Sequence, residues 1–135
     1  MIRRVPKLPL AGDACPCGSG LPYDGCCGPL LEGAPAATAE AVMRSRYTAY
    51  AVGDVDHLVR SWHPRTRPAR IDLDPDVRWS GLEVLDTADG GPEHDTGVVE
   101  FRARWLDRGR GGVLHERSRF VRRGGRWSYV DGDVR

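Results

Sequence analysis

Hydrophobic and polar residues follow a helical period in the first half of this chain. Across residues 39–52, "AEAVMRSRYTAYAV", apolar and aromatic residues recur at i, i+4 and i+8, the spacing of one helix face. Thr38 precedes this segment as a predicted N-cap, and Gly53 follows it as a predicted helix end. Asp54 then opens a second, shorter predicted helix over residues 55–62, which the following His-Pro pair terminates.

From residue 77 onward the period changes to two, which is typical of half-buried strands. The predicted strands cover residues 77–86, 96–107, 113–123 and 126–132. Gly81 predicts a bulge in the first strand, and a Gly-Gly pair predicts a tight hairpin turn between the last two. The second strand alternates apolar and charged residues, which predicts one face against a core and one face in water.

Helices followed by a meander of antiparallel strands predict an α+β fold. The helices should pack on one face of a curved sheet, whose long bent strands form a cone with a cavity at its mouth. This is the cystatin-like plan that nuclear transport factors and ketosteroid isomerase share. We expect a small module with an N-terminal arm and a linker at residues 1–33, and the cone-like domain at residues 34–135.

Composition and charge indicate the cellular location of the protein more clearly than its function. A formal net charge of +1 indicates neither an acidic nor a basic partner, and 40% hydrophobic residues are enough for one core. No apolar run approaches the ~20 residues that cross a bilayer. The basic N-terminal stretch, residues 3–12, is too short and too interrupted by proline for a signal peptide. We therefore expect a cytoplasmic protein with reduced thiols and no membrane contact.

All four cysteines lie in one short stretch, "CPCGSGLPYDGCC", with the spacing C-x-C-x8-C-C. Adjacent pairings would close strained disulfide rings, and cross-pairings would crowd two bridges into one small loop. Four thiolates suit a tetrahedral Zn²⁺ better, and they leave no open position on the metal for catalysis. A peptide this short has no core of its own, so metal binding would supply its folding energy. A redox role for the adjacent cysteines is the remaining alternative.

The segments "CPCGSG" and "CCG", together with Tyr23, resemble the SEC-C zinc motif known from the SecA translocation ATPase. The resemblance implies that one structural zinc ion per chain is bound by Cys15, Cys17, Cys26 and Cys27. In SecA the motif meets a chaperone and the ribosome, which implies a protein or ribosomal surface as partner. Here Leu21, Pro22 and Asp24 stand where such motifs often carry lysines, and this weakens the basic contact surface.

Longer segments extend the resemblance over most of the chain. Besides the cysteine stretch, "AEAVMRSRYTAYAVGDVDHLVRSWHPRTRP" and "HERSRFVRRGGRWSYVDGD" resemble the bacterial YchJ family. The resemblance implies an N-terminal SEC-C knuckle followed by one cone-like α+β domain. It implies no known reaction, so any chemistry has to be inferred from the residues themselves.

Polar side chains that point into the cone would form a pocket. On the third predicted strand Glu116 and Ser118 share a face with Phe120, so we expect both to point inward. The other residues expected to line the mouth of the cone are Tyr47, Tyr50, Arg44, Trp62, His63 and Asp131.

These candidates allow two interpretations. In the first, Glu116 or Asp131 acts as a general base in an apolar cavity, with a tyrosine as hydrogen-bond donor. In the second, Glu116 is structural and forms an ion pair with Arg44 or Arg46, while its serine neighbour is hydrogen-bonded locally.

The remaining histidines and arginines indicate no further site. His57 should face solvent from the second helix, and no histidine has a partner at metal-ligand spacing. Arg117 and Arg119 share the outer face of a strand, where clustered arginines would attract phosphate. Because Glu100 lies on the same face and no aromatic residues interleave with the arginines, we expect a mixed, solvated surface without sequence-specific nucleic-acid binding.

Two functional hypotheses from different classes follow. The first is a non-enzymatic adaptor without catalytic residues, whose zinc knuckle docks on a protein or ribosomal surface. The alternative is a pocket protein, with or without enzymatic activity, that binds a small apolar or weakly acidic molecule through Glu116, Ser118 and the tyrosines. Exposed sheet faces of this architecture often pair, so homodimer formation is a further expectation.

Overall fold

A computed structural model of the protein describes residue 9 and residues 11–135. The described part contains a 3-10 turn at Tyr23–Gly25, then α1 (Cys27–Leu31), α2 (Ala39–Val52), α3 (Val55–Arg60), β1 (Val77–Asp89), β2 (Thr96–Asp107), β3 (Arg110–Arg123) and β4 (Arg126–Val134). Most of the basic N-terminal stretch, and with it most of the arm of the predicted zinc module, lies outside the described residues. None of the described helices is long and apolar enough to cross a membrane.

Helix α2 begins and ends where the sequence predicts. The Thr38 hydroxyl accepts a hydrogen bond from the backbone N–H of Ala41 at 3.0 Å, which satisfies one of the free donors at the helix start. Gly53 ends the helix with a φ of 82°, a left-handed conformation that glycine adopts without strain. The predicted cap and the predicted helix end are both confirmed.

Helix α3 begins at its predicted N-cap, Asp54, but it ends at Arg60 and not at residue 62. Beyond that point the backbone pairs with the last strand, since the N–H of Tyr129 donates to the Ser61 carbonyl at 2.8 Å. A parallel bridge between Trp62 and Tyr129 completes this pairing. The tertiary contact therefore carries Trp62 out of the helix and onto the sheet.

The described strands form one antiparallel sheet in the order β1-β2-β3-β4. Strand β2 has its predicted limits, whereas β1, β3 and β4 are longer than predicted. The predicted bulge is confirmed as a register shift between Trp79 and Gly81, and a second shift follows between Val84 and Asp86. Bulges bend a strand and increase its twist, so both contribute to the curvature of the sheet.

Helix α2 packs against β1, β2 and β4. Its buried residues Met43 and Tyr47 meet Val99, Phe101 and Phe120 of the sheet in one hydrophobic core. Removing this apolar surface from water is the main force that holds the helix on the sheet. Helices on one face of a curved antiparallel sheet confirm the predicted α+β architecture.

Replacing Gly97 by alanine should destabilise the protein by about 1–3 kcal/mol, the usual cost of overpacking a tight site. A Cβ at this position would lie 2.5 Å from the Cα of Gly90 and 3.0 Å from the Cβ of Ala39. Gly81→Ala is the matched control, because nothing lies within 4 Å of a Cβ built there. Urea unfolding compares the two variants, and equal midpoints would contradict the close approach.

Candidate functional site

The four cysteines converge on one point of the structure. Their Sγ atoms all lie within 4.8 Å of one another. The Sγ of Cys26 is 3.6 Å from that of Cys17 and 4.0 Å from that of Cys27. All four are free thiols, and Cys15, Cys17 and Cys27 are buried.

These distances fit a single tetrahedral metal ion. Zn–S bonds of about 2.3 Å at tetrahedral angles place the sulfur atoms about 3.8 Å apart. The separations of 3.6 and 4.0 Å lie on either side of that value. Thiolates select Zn²⁺, Cu⁺ or iron over Mg²⁺ and Ca²⁺, which prefer oxygen ligands. The cysteine cluster is therefore compatible with a metal site in which four protein ligands would close the coordination sphere.

Backbone hydrogen bonds shape the loop that carries the first two cysteines. The N–H of Cys15 donates to the Leu21 carbonyl at 2.9 Å, and the N–H of Gly18 donates to the Cys15 carbonyl at 3.1 Å. Gly18 adopts a φ of 75°, which a residue with a side chain rarely does. The Ser19 hydroxyl lies 3.2 Å from the Sγ of Cys26, so the loop also orients a ligand from the second cysteine pair.

Helix α2 supplies contacts around the cysteine cluster. The Nη1 of Arg44 donates to the Cys17 carbonyl at 2.9 Å and lies 3.9 Å from the Cys17 Sγ. Its Nε donates to Glu40 at 2.9 Å, and Thr48 Oγ1 lies 3.9 Å from the Cys15 Sγ. Burial opposes the charge of Arg44, but the bonds to Glu40 and Cys17 raise its pKa above the ordinary value. The guanidinium thus offsets negative charge that four thiolates would concentrate here.

The pKa values of the cysteine thiols differ from one another. The hydrogen bond with Cys27 lowers the pKa of Cys17 to about 4, and the same bond raises the pKa of Cys27. Burial raises the pKa of Cys26. A metal ion must displace the protons that remain on the cluster, so metal affinity should fall as the pH falls.

The knuckle, residues 11–31, is packed against the body of the protein. Its buried cysteines belong to the same hydrophobic cluster as Met43 and Tyr47 of α2. A Cβ at Gly18 would lie 3.5 Å from the carbonyl oxygen of Leu82 in β1, which places the knuckle loop against the sheet. One hydrophobic core continues across the predicted boundary between residues 33 and 34. The division into two domains there stays a prediction.

Arg44→Met should weaken Zn²⁺ binding by about 10- to 100-fold, the usual effect of losing a partner that orients and neutralises metal ligands. Methionine keeps much of the side-chain volume but removes the donor to the Cys17 carbonyl. Competition against a chromogenic chelator measures the affinity. Arg104→Met, at an exposed position on β2, is the control and should leave the affinity unchanged. Equal affinities for both variants would mean that Arg44 plays no part in metal binding.

A cavity of about 310 Å³ lies between α2 and the sheet. Five of the residues expected to line the mouth of the cone do line it: Tyr47, Tyr50, Trp62, Glu116 and Ser118. Further apolar and aromatic walls come from Met43, Trp79, Phe101, Ala103, Leu114, Phe120 and Tyr129, and Arg46 completes the lining. The lining is mostly apolar, with a few polar groups, as in most small-molecule sites.

Glu116 is held at one end of this cavity. The Tyr129 hydroxyl donates to its Oε2 at 3.1 Å, and the Ser118 hydroxyl donates to the same oxygen. Within the part of the chain that is described, its Oε1 receives no hydrogen bond. The carboxylate lies against Gly132, where a Cβ would come within 2.5 Å of Oε2. Burial, followed by the charge of Glu116, raises the pKa of Tyr129.

Arg46 is 6% exposed and lies against two aromatic rings that are in edge-to-face contact with each other. Its Cζ is 4.7 Å from the ring centroids of both Trp62 and Tyr129. Nη1 donates to the Leu58 carbonyl at 3.1 Å and to the Ser61 hydroxyl at 2.8 Å. Burial lowers the pKa of Arg46 to about 10, so the side chain stays charged at neutral pH. Cation–π contacts with both rings stabilise the cation.

Three predicted lining residues, Arg44, His63 and Asp131, lie elsewhere, and the predicted structural ion pair does not form. Arg44 points from the other side of α2 toward the cysteine cluster, as described above. His63 lies at the surface, where its ring nitrogen contacts Nη1 of Arg123 at 2.7 Å. Among the described residues neither Arg44 nor Arg46 makes an ion pair with Glu116. The serine beside Glu116 is hydrogen-bonded locally, as predicted.

Asp131 faces outward because β4 carries a bulge. Phe120 pairs with Tyr129, but the preceding residue, Arg119, pairs with Asp131, so β4 has one extra residue here. This shift moves Asp131 to the opposite face from the one that alternation predicts. There it forms an ion pair with Arg119 at 2.5 Å.

His57 was expected to face solvent, and this expectation is wrong. The side chain is only 6% exposed, and its Nε2 lies 2.8 Å from the hydroxyl of Ser45 in α2. Helix α3 folds back directly after Gly53, which turns this face of the short helix toward α2.

The outer sheet face is a set of paired charges. Arg117 bridges Asp86 at 2.9 Å and Glu100 at 3.0 Å. Arg119 contacts Asp133 at 2.9 Å in addition to its partner at the bulge. The mixed, solvated character expected of this face agrees with the structure, since acidic neighbours offset the charge of both arginines.

Two lining residues with polar groups, Arg46 and Tyr129, were not among the candidates from the sequence. A signal for the first was present, since Arg46 and Tyr50 are four positions apart and therefore share a helix face. Tyr129 precedes the bulge on β4, so it keeps the inward orientation that alternation from Trp127 predicts.

Comparison with known sequences identifies the body of the chain. Residues 38–132 match the family model described as YchJ, middle NTF2-like domain. A UPF0225 protein of Streptomyces coelicolor is 60% identical over 120 residues, covering 88% of this chain and 94% of that protein. A UPF0225 protein of Chromobacterium violaceum is 50% identical over 126 residues, covering 90% of this chain and 93% of that protein.

Two solved structures share the fold and the knuckle. A SEC-C motif containing protein from Rhodopseudomonas palustris is 38% identical with a TM-score of 0.78, covering 91% of this chain and 99% of that one. One from Psychrobacter arcticus is 25% identical with a TM-score of 0.73, covering 93% of this chain and 84% of that one. The similarity thus extends over both the cysteine knuckle and the sheet.

Proposed function

Because this chain belongs to the YchJ family, whose NTF2-like domain it contains, we propose that it is a small-molecule-binding protein stabilised by a structural zinc ion. The cavity between α2 and the sheet holds the ligand. The zinc site keeps the knuckle packed against the same helix. The names of the relatives state no activity, so the proposal rests on the residues of this chain.

One observation carries the proposal. The Arg46 guanidinium and the Glu116 carboxylate both line a mostly apolar cavity, and they make no ion pair with each other. Charged groups removed from bulk water are costly unless they are paired or hydrogen-bonded. Arg46 is hydrogen-bonded through Nη1 alone and Glu116 through Oε2 alone, so a bound polar ligand would supply partners for their remaining polar atoms. A residue that served the core alone would gain more from pairing directly across the cavity.

Zinc is the metal that best fits the proposed role. Four thiolates match its preferred tetrahedral geometry, and the closed ligand set suits a structural ion. One ion per chain would link the loop of Cys15 and Cys17 to the start of α1. A cytoplasmic location would keep these thiols reduced and available for the metal.

The proposed role of Glu116 is binding and not turnover. Tyr129 and Ser118 both fix the carboxylate through Oε2. This arrangement restrains the side chain and leaves Oε1 for a ligand donor. No reaction is assigned to the cavity.

Native mass spectrometry of the purified protein tests the proposal. We expect one zinc ion per chain and a small organic mass that is lost on denaturation. Glu116→Gln should keep the zinc and lose the organic mass, whereas Glu93→Gln, at an exposed loop position, should keep both. If Glu116→Gln unfolds the protein, the carboxylate is structural and the pocket loses its main residue. The same spectrum gives the number of subunits and so tests the expected homodimer.

The adaptor hypothesis remains as a second candidate because of the exposed tip of the knuckle. Leu21 is 51% exposed there, whereas Cys15, Cys17 and Cys27 are buried. An exposed leucine on a rigid, metal-bound loop can insert into a partner surface. Co-sedimentation with purified ribosomes tests this role. Leu21→Asp should abolish co-sedimentation without loss of zinc, and unchanged co-sedimentation would exclude the tip as the contact.

A further inference from the structure

Two oppositely charged side chains, Arg46 and Glu116, line the cavity. Each has polar atoms that make no hydrogen bond to the described residues. Arg46 uses only Nη1 in hydrogen bonds to the described residues, so Nε and Nη2 have no partner there. Glu116 uses only Oε2, so Oε1 has none either. Neither side chain takes part in an ion pair within residues 11–135. The cavity therefore presents a donor pair and an acceptor at the same time.

Tyr129 keeps the two charges apart. The Arg46 Cζ lies 4.7 Å from the centroid of the Tyr129 ring, and the hydroxyl at the far end of that ring holds Glu116 at 3.1 Å. The Trp62 ring centroid also lies 4.7 Å from this Cζ, and it is 5.2 Å from the centroid of Tyr129 in an edge-to-face contact. Gly132 provides the space in which the carboxylate lies. The two groups cannot collapse onto each other without breaking contacts on both sides.

We infer, on the basis of the proposed function, that the ligand is a zwitterion with a compact apolar body, the chemistry of a free aromatic or large aliphatic α-amino acid. Its carboxylate would bind the free Nε and Nη2 of Arg46, and its ammonium would donate to Oε1 of Glu116. A ligand with one charge would leave the opposite protein charge unpaired in an apolar cavity. Hydrogen bonds between charged groups are the strong ones, so both ends should contribute to affinity.

The rest of the cavity suits the body of such a ligand. Tyr47, Tyr50 and Trp79 form an aromatic wall, with ring centroids 6.3 and 6.1 Å from that of Trp79. Phe101 and Leu114 add apolar surface. A volume of about 310 Å³ is at the small end of ligand pockets, which favours a single compact molecule.

Isothermal titration with three probes of similar shape tests the inference. L-Phenylalanine carries both charges, 3-phenylpropionate carries only the carboxylate, and phenethylamine carries only the ammonium. We expect phenylalanine to bind at least about 10-fold more tightly than either of the others, since each lost charged hydrogen bond leaves a group unpaired. Protein unfolded and refolded with zinc, to remove any retained ligand, is the sample for all three.

Two variants assign the ends of the ligand. Glu116→Gln should remove the preference for phenylalanine over 3-phenylpropionate, and Arg46→Met should remove its preference over phenethylamine. If Arg46→Met does not fold, the comparison of probes on the unmodified protein still decides the question.

The outcomes separate the inference from the proposed function. Equal binding of phenylalanine and either single-charge probe would overturn the zwitterion and leave a small-molecule pocket. Failure of every probe, together with no organic mass in the native spectrum, would overturn both. Binding that is tight for phenylalanine and unchanged by Glu116→Gln would also overturn the inference.

Discussion

Removing the metal from reduced protein should lower its thermal midpoint by on the order of 10–20 °C. Structural zinc sites in small peptides bind with about 10–16 kcal/mol, and loss of each kcal/mol lowers the midpoint of a domain this size by several degrees. Part of that energy is spent on folding the knuckle itself. The rest of the binding energy stabilises the α+β domain as well, because Cys17 is 0% exposed and shares a core with Met43 and Tyr47.

Thermal unfolding with and without a chelator, in the presence of a reductant, measures this effect. Hydrogen exchange should locate the loosened region at residues 11–31 and along the face of α2 that carries Arg44 and Thr48. Cys17→Ser is the control, since a variant that already lacks a ligand should show little further change with chelator. An identical midpoint for zinc-loaded and zinc-free protein would contradict a structural role for the metal.

Acid should destabilise the protein through His57 by about 3 kcal/mol between pH 6.5 and 4. Burial, together with the charge of Arg60, lowers the pKa of His57 to about 4, whereas the unfolded chain titrates near 6.5. Between pH 6.5 and pH 4, His57 is therefore protonated in the unfolded state but stays neutral in the folded state. Stability attributable to His57 is fully present above pH 6.5 and is lost as the pH falls toward 4.

The local geometry explains why the His57 ring stays neutral in the folded state. The Ser45 hydroxyl donates to the Val42 carbonyl at 2.7 Å, so it can only accept from Nε2–H of His57. The neutral ring is thus held in one tautomer, and its Nδ1 is buried without a partner among the described residues. A second proton would place an unpaired charge in the core.

Urea unfolding at pH 7 and at pH 4.5 measures the free energy of unfolding of the unmodified protein and of the His57→Gln variant. Glutamine can keep the hydrogen bond to Ser45 but does not titrate, so the variant should lose less stability on acidification. Metal release at low pH affects both proteins, and it cancels in the difference between them. Identical acid losses would show that another group accounts for the pH dependence.

Much of the fold could be predicted from local sequence. Thr38, Gly53 and Asp54 mark helix limits through hydrogen bonds and backbone preferences that involve only neighbouring residues. Strand β2 could be placed because its alternation reflects one buried and one solvated face. Strand lengths were less predictable, since pairing with a neighbour decides where a strand ends.

The candidate pocket was predicted only in part. Glu116 and Ser118 follow from alternation on a regular strand, and the structure places both on the cavity. Asp131 was misplaced because one extra residue in β4 reverses the face. Arg44 was misplaced because two buried features, the cavity and the cysteine cluster, lie on different sides of α2, and periodicity shows buried faces without showing what covers them.

The sequence by itself determined the cysteine ligand set as a candidate, the α+β class and the family. Each depends on residue type and short spacing, which folding does not alter. Only the tertiary structure decided that the knuckle is packed against α2, that His57 is buried, and that Arg46 and Glu116 line one cavity unpaired. Those features depend on contacts between residues far apart in the chain, such as Arg46 with Tyr129, whose geometry no local pattern contains.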